Sequence, residues 1–193
     1  MLMGLKLGQS LDLTELSREQ DQFMIEIQWK SNDIKRKGLL SFLHLNTQEC
    51  RYATTVLLLE EGEKLRDKRN KIALDNLRHP TQCIRHMGDQ ITQSGYQDEQ
   101  IFIKLSNIPD NIQYFNFVLH PYHLKKGKLP TAVPEDVWLR VVHTKTQEEI
   151  LKIPLLQHYA QTNPITLFQL IHDHTHWKLN ILLQSMQSEQ YGL

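Results

Sequence analysis

The chain has 193 residues, of which 40% are hydrophobic, and this composition suits a folded domain with a real core and excludes a largely disordered protein. Basic and acidic residues number 22 each, so no net charge attracts the chain to nucleic acid or to an acidic membrane. No apolar run approaches the roughly 18 residues of a membrane-spanning helix, and residues 1–9 lack a signal-peptide pattern. We therefore expect a cytoplasmic protein.

The first half of the chain carries patterns that are typical of β-strands. Residues 23–30 alternate between apolar and polar side chains, which predicts a strand with one buried face. Residues 54–59 end in four consecutive apolar residues, which predicts a strand that is covered on both faces. Residues 63–77 do not fit a strand pattern because they are rich in residues with high helix propensity, and their structure is left ambiguous.

Two more strands are predicted in the middle of the chain, over residues 100–105 and 114–120. Residues 88–90 read as a turn, and a loop with Pro109 separates the two strands. Pro121 has no backbone N–H, so we expect the central hydrogen-bonded ladder to end there.

Two hairpins are predicted in the last third of the chain. Residues 137–142 and 150–155 form one pair, and residues 165–171 and 177–183 form another around a histidine-rich turn. Strands spaced by turns, without long helices between them, indicate an all-β fold, an antiparallel two-sheet β-sandwich with minor helical turns. No linker or repeat divides the chain, so we expect a single domain over residues 1–193.

Motifs of common enzymes are absent from the sequence: it has no glycine-rich phosphate loop, no Gly-x-Ser-x-Gly and no His-Glu-x-x-His. Cys83 and His86 are close in sequence, whereas the partners of a nucleophilic cysteine are normally distant in sequence and meet in the fold. We expect Cys50 and Cys83 to be buried, reduced thiols, and the protein not to be an enzyme.

Two sets of residues are candidates for binding metal. His172, His174 and His176 would share one face of a continuous strand and could bind zinc, but a turn at this point would separate the rings and leave solvated histidines. Asp89, Asp98 and Glu99 lie in or beside acidic loops and could contribute to a calcium site, which needs about six to eight oxygen ligands. Three carboxylates alone are more typical of a solvated loop.

Seven stretches, in order along the chain, resemble the TerD family of tellurium-resistance and general stress proteins of bacteria. Residues 8–14 resemble its opening Gly-Gly-Asn-x-Ser-Leu-Ser, and residues 23–29 its Val-x-Val-x-Leu-x-Trp strand. The other stretches are Asp75-Asn76-Leu77 with Pro80, Gly88-Asp89-Gln90-Ile91-Thr92, Asp98-Glu99-Gln100-Ile101 with Pro109, Leu139-Arg140-Val141-Val142, and Leu170-Ile171 with Trp177-Lys178. The resemblance implies a β-sandwich, no known catalytic activity, calcium binding in aspartate-rich loops and a role in cytosolic or membrane-associated stress complexes.

The chain departs from the family pattern at the acidic positions. The family's Asp-Leu-Asp-Ala-Ser motif aligns with Arg51-Tyr52-Ala53-Thr54-Thr55, so both aspartates are missing, and Gln97 replaces a third acid. At about 6 Å and an effective dielectric constant of roughly 20, an arginine and a calcium ion repel by several kcal/mol. We therefore expect calcium binding to be weak or absent, with Asp89, Asp98 and Glu99 as remnants of the site. Arg51 could pair with Asp98 or Glu99 in place of the ion.

These observations leave three functional hypotheses. The first is a non-enzymatic binding or scaffold protein of the tellurium-resistance and stress-response type, with protein partners and no specific nucleic acid, which binds through Tyr52, Tyr122 or Trp138. The second is a zinc-binding protein or hydrolase that uses His172, His174 and His176. The third is peripheral membrane or nucleic-acid attachment through three basic segments, residues 35–37, 64–71 and 125–128. The sequence does not determine the oligomeric state.

Overall fold

The protein is a sandwich of two antiparallel β-sheets, seen in a computed structural model that describes residues 10–16, 21–33, 51–91, 96–122, 132–158, 163–173, 175–186 and 191. Sheet A has the strand order β1-β11-β10-β7-β3-β4, and sheet B has the order β5-β6-β2-β8-β9. The strands are β1 (Ser10–Asp12), β2 (Gln22–Asp33), β3 (Arg51–Leu59), β4 (Lys71–Ile72), β5 (Ile84–Ile91), β6 (Tyr96–Lys104), β7 (Tyr114–Tyr122), β8 (Ala132–His143), β9 (Glu149–His158), β10 (Ile165–His172) and β11 (Trp177–Ser185). The predicted all-β sandwich is confirmed.

Helical structure in the described residues is confined to short turns. They are α1 (Leu13–Leu16) and two 3-10 helices, Lys68–Asn70 and Leu105–Asn107. Residues 63–77, which the sequence left ambiguous, form turns, the first of these 3-10 helices and the short strand β4, without an α-helix. Local helix propensity is weak beside the tertiary contacts of a segment that closes the edge of sheet A.

The core lies between the sheets and follows the period-2 pattern of the strands. Phe23, Ile25, Ile27 and Trp29 of β2 are buried on its inner face. β3 is covered on both faces, as its apolar run predicts, since Val56 and Leu58 join the main core while Leu57 and Leu59 pack with Val118 and Tyr191 outside sheet A.

β5 is a strand that the sequence pattern did not predict. Residues 88–90 belong to this strand and not to a turn, because a register shift between His86 and Asp89 accommodates Gly88, whose φ is +84°. A bulge interrupts the alternation of buried and exposed side chains, so the sequence pattern does not indicate a strand there.

β7 continues through Pro121 to Tyr122, two residues beyond the predicted end of its ladder. Its pairing with β10 ends at Leu119, whereas its pairing with β3 reaches Tyr122. Among the described strands, Pro121 therefore has a paired neighbour on one side only, which is the kind of position where a strand tolerates proline.

Both predicted hairpins are confirmed, as β8–β9 and β10–β11. β9 forms an outer edge of sheet B among the described strands, and Lys152 and Pro154 are exposed on it. No helix in the described part of the chain is long and apolar enough to cross a membrane.

Candidate functional site

β6 carries two adjacent acids that lie on opposite faces of sheet B. Glu99 shares the inner face with Ile101 and Ile103 and is fully buried. Asp98 lies on the outer face, where Gln28 is opposite it in β2 and only 6% of the residue is exposed. Successive side chains of a strand alternate between faces, so these two carboxyl groups enter different environments.

Glu99 crosses the interior and accepts a hydrogen bond from the other sheet. The Thr54 backbone N–H donates to Glu99 Oε2 at 2.7 Å. β4 pairs with β3 only at Val56 and Leu57, so the β3 edge at Thr54 has no strand neighbour among the described residues. The Glu99 carboxyl group therefore accepts a hydrogen bond from a backbone N–H that would donate to a neighbouring strand if β4 were longer.

His86 is the second polar neighbour of Glu99. Its Nδ1 accepts a hydrogen bond from the Gly88 N–H at 2.9 Å, so the neutral ring carries its proton on Nε2. That Nε2 lies 3.5 Å from Glu99 Oε2, and both side chains are fully buried. Burial raises the pKa of Glu99, and the neighbouring His86 and Thr54 N–H partly oppose this shift.

The interior polar cluster is the set Trp29, Thr54, His86 and Glu99. Within the described residues, each member has a buried polar atom without a hydrogen bond: Trp29 Nε1, Thr54 Oγ1, His86 Nε2 and Glu99 Oε1. Trp29 follows Ile27 on the inner face of β2, and Ile27 lies opposite Glu99. Unsatisfied polar groups in a core cost free energy, so the cluster is the chemically most unusual part of the interior.

Asp98 belongs to a separate network on the outer face of sheet B. Glu26 accepts hydrogen bonds from Arg140 Nη1 at 3.0 Å and from Gln100 Nε2 at 3.3 Å, and Arg140 Nε donates to Glu149 at 2.8 Å. Burial, and then the charge of Glu26, raises the pKa of Asp98 to about 7. The folded protein therefore binds the Asp98 proton more tightly than a free carboxyl group would.

The predicted calcium remnant is therefore divided between the two faces. Glu99 faces the interior and Asp98 the outer network, so one ion cannot be coordinated by both. The backbone of Asp89 lies opposite Glu99 in β5, but its side chain lies outside the described residues, as does that of Arg51. The pairing of Arg51 with an acid, and weak or absent calcium binding, stay predictions.

The described histidines of the proposed zinc cluster have different neighbours. The ring of His172 stacks on Trp177, with the centroids 4.7 Å apart. His176 Nδ1 lies 2.6 Å from Asp12 Oδ2, and this contact raises the pKa of His176. His174 lies outside the described residues. Among the side chains that the structure describes, no three His, Cys, Asp or Glu are grouped as metal ligands.

The other residues that the sequence singled out are mostly structural or lie outside the description. Cys83 is buried, which raises the pKa of its thiol. Tyr52 and Trp29 are buried, whereas Trp138 is half-buried on the outer face of sheet B with Lys152 Nζ 5.5 Å from its ring centroid. Cys50 and the basic segments at residues 35–37 and 125–128 lie outside the described residues.

Sequence reasoning missed the members of both networks other than the acids of β6. The parity of β6 was a usable signal, since counting back from Ile103 and Ile101 places Glu99 on the apolar face. No pattern in the sequence indicated Thr54, which is 45 residues from Glu99 and in the other sheet.

Comparison with known proteins agrees with this architecture. The TerD domain family matches the chain over residues 1–193. The stress response protein SCP2 of Bacillus subtilis is 29% identical over 179 residues, which are 92% of this chain and 89% of that protein. The tellurium resistance protein TerZ of Serratia marcescens is 24% identical over 182 residues, 94% of this chain and 89% of that protein.

A solved structure has the same fold at low sequence identity. The crystal structure of a homologue of the telluride resistance protein TerD from Streptomyces coelicolor superposes with a TM-score of 0.56 at 10% identity, over 88% of this chain and 92% of that one. The sandwich topology and the full-length family match lead to the same conclusion: the chain belongs to the TerD family of tellurium-resistance and stress-response proteins.

Proposed function

We propose that this chain is a non-catalytic binding module of the TerD stress-response type, in which the family calcium site is degenerate. The observation that carries the proposal is the placement of the β6 acids: Glu99 binds the Thr54 N–H and adjoins His86, while Asp98 adjoins Glu26. Each carboxyl group already has a partner within the protein.

The electrostatics of the site support this reading. Burial raises the pKa of Glu99, and a carboxyl group must lose its proton before it can coordinate calcium, so this shift opposes calcium binding. Calcium also needs about six to eight oxygen atoms around it, and the two adjacent acids of β6 cannot supply one ion from opposite faces.

Calcium titration tests the degenerate site. Protein that has been treated with a chelator and dialysed is titrated with calcium chloride in a calorimeter, with magnesium chloride as the control, and its melting temperature is measured with and without calcium. We expect no saturable heat and an unchanged melting temperature. Micromolar binding that also raises the melting temperature would contradict the proposal, since a ligand that binds only the folded state stabilises it.

The binding role is tested separately in cells. We expect strains that lack the chain to be more sensitive to tellurite or to other chemical stress, and the wild-type chain to restore resistance. The chain, purified from stressed cells after cross-linking, should retain specific protein partners that are absent from unstressed cells. Normal resistance in the deletion strain, together with no partner in the cross-linked sample, would contradict a stress-response binding module.

Binding assays with vesicles and DNA test the alternative hypothesis that the chain attaches to membranes or nucleic acid through its basic segments. The described basic segment contains Arg66 and Arg69, which pair with Glu60 and Asp67 and are therefore partly neutralised. We expect no salt-dependent binding to anionic vesicles or to single-stranded DNA. Binding at low salt that disappears at high salt would favour peripheral attachment over a protein partner.

A further inference from the structure

The outer face of sheet B has a second polar site, which shares no residue with the interior polar cluster. A cavity of about 420 Å³ opens where β5, β6 and the start of β2 meet. Its lining includes Arg85, Met87, Phe102, Lys104, Gln22 and Asn107. The volume lies within the roughly 300–1,000 Å³ that is typical of small-molecule sites.

Two cations in this cavity lack acidic partners. Within the described part of the chain, neither Arg85 nor Lys104 has a carboxylate within ion-pair distance, whereas Arg140 and Lys178 are paired with acids. Asp21, which precedes β2, accepts a hydrogen bond from Ser106 and is not within ion-pair distance of either cation. The positive charge of the cavity is therefore available to a ligand.

An aromatic ring lies beside these cations. Phe102 is directly opposite Arg85 in the β5–β6 ladder and alternates with the core residues Ile101 and Ile103, so its side chain is on the outer face. It is only half-buried there. A partly exposed aromatic ring on a strand offers a flat apolar surface on which a planar group can stack.

The rim of the cavity is fixed by the backbone and by polar contacts. The Lys104 N–H donates to the Cys83 carbonyl at 2.8 Å, and Asn107 Nδ2 donates to the Thr81 carbonyl at 3.1 Å. These bonds join the end of β6 to the segment that precedes β5. The cations and the ring are thus presented by connected elements, which limits the ordering cost of binding.

We propose that this cavity binds a small phosphate ester that carries a flat ring, with the phosphate on Arg85 and Lys104 and the ring on Phe102. A guanidinium binds a phosphate through two parallel hydrogen bonds, and an ammonium adds a compact charge. The inference is independent of the proposed function, because it uses neither the β6 acids nor a protein partner.

The direct test is a titration with phenyl phosphate, followed by NMR or calorimetry, with inorganic phosphate and benzyl alcohol as comparison probes. We expect saturable binding of phenyl phosphate that is tighter than binding of either comparison probe. The absence of saturable binding overturns the proposal. Equal affinity for phenyl phosphate and inorganic phosphate overturns the role of the ring.

Variants at positions outside the core identify the site. Arg85→Gln should weaken phenyl phosphate binding roughly tenfold, which is the loss expected for a charge-assisted hydrogen bond. Phe102→Leu should weaken phenyl phosphate several-fold and leave inorganic phosphate unchanged. Lys68→Gln removes an exposed positive charge outside the cavity and is the matched control.

The melting temperature of each variant shows that it is folded before it is titrated. If Arg85→Gln and Lys68→Gln bind phenyl phosphate equally well, the ligand does not use this cavity and the proposal is wrong. A loss of binding in Arg85→Gln alone, with an unchanged melting temperature, supports it. Neither outcome depends on calcium, so this test and the test of the proposed function can fail separately.

Discussion

Asp98 and His120 are two buried titratable side chains. Protonation of Asp98 stabilises the folded protein, whereas protonation of His120 destabilises it. Asp98 is 6% exposed beside Glu26, and its pKa is raised to about 7. His120 is also 6% exposed, its Nε2 lies 2.8 Å from Thr55 Oγ1, and burial lowers its pKa to about 4. Each is held in its neutral form by the fold, since burial penalises charge of either sign.

Asp98→Asn should change how stability depends on pH. The folded protein binds the Asp98 proton more tightly than the unfolded chain does, so this carboxyl stabilises the fold at acidic pH. Its contribution is lost as the pH rises from about 4 to about 7. Asparagine stays neutral, so the free energy of unfolding of the variant, relative to wild type, should rise over that range. Urea unfolding at several pH values measures it.

The exposed loop residue Asp110 provides the control for this measurement. Asp110→Asn removes an acid of the same type from an exposed position, so it measures the effect of losing one carboxyl group that is not buried. If the free energy of unfolding of Asp98→Asn changes with pH in the same way as that of the wild type, Asp98 is ionised in the folded protein at neutral pH and the prediction is wrong.

His120→Gln should have the opposite effect. The unfolded chain binds a proton on this histidine more readily than the folded protein does, so His120 favours unfolding as the pH falls from about 6.5 to about 4. Glutamine keeps a hydrogen-bonding group near Thr55 and does not titrate. The variant should therefore lose less stability on acidification than the wild type, as measured by urea unfolding at pH 7 and pH 4.5. A steeper acid loss in the variant would contradict a neutral buried His120.

At the scale of the element, the bulge in β5 controls where its side chains lie. The register shift between His86 and Asp89 allows the Gly88 N–H to donate to His86 Nδ1. That bond fixes the imidazole so that Nε2 faces Glu99. The bulge therefore positions a member of the interior polar cluster, which explains why a break in a strand is retained beside the core.

Gly88→Ala should destabilise the protein by about 1 kcal/mol, the usual cost of a positive φ for a residue with a Cβ atom. An added Cβ would meet no atom within 4 Å, so the cost is conformational and not a steric clash. Gly88→Asn is the matched variant, because asparagine tolerates this conformation better and should cost less. Urea unfolding of the two variants tests the order; equal losses would show that the backbone conformation is not the cause.

The elements show which parts of the fold were predictable. Regular alternation in residues 23–30 and the apolar run at 54–59 predicted β2 and β3 because the core selects those patterns. β5 was missed because its bulge breaks the alternation. The hydrogen bond from Thr54 to Glu99 depends on how the two sheets are superposed, and no local pattern encodes that arrangement.

At the scale of the whole molecule, both sheets contribute to one continuous core. Phe117 and Phe168 of sheet A stack with centroids 4.2 Å apart, and the same cluster includes Ile25 and Leu139 of sheet B. The inner faces of the two sheets therefore pack in a single cluster. We therefore expect the two sheets to unfold together, as the prediction of a single domain requires.

Leu58→Ala should cost roughly 2–5 kcal/mol, because Leu58 is fully buried between the sheets and its truncation leaves a cavity. Leu77→Ala is the control, since Leu77 is 37% exposed and its loss should cost about 0.5 kcal/mol or less. Urea unfolding followed by tryptophan fluorescence and by far-UV circular dichroism measures both. Two separate transitions in the wild type, or a small effect of Leu58→Ala, would contradict one cooperative core.

β9 forms an edge of sheet B among the described strands, and this bears on how two copies of the chain meet at high concentration. An unpaired strand edge is a template for strands from other chains, and crowding increases the rate of such encounters. Pro154 cannot donate a backbone hydrogen bond to an incoming strand, and the charge of Lys152 must be desolvated before a second copy can pair there. Edge-to-edge pairing of two copies is therefore disfavoured at β9, and with it the growth of fibres from this edge.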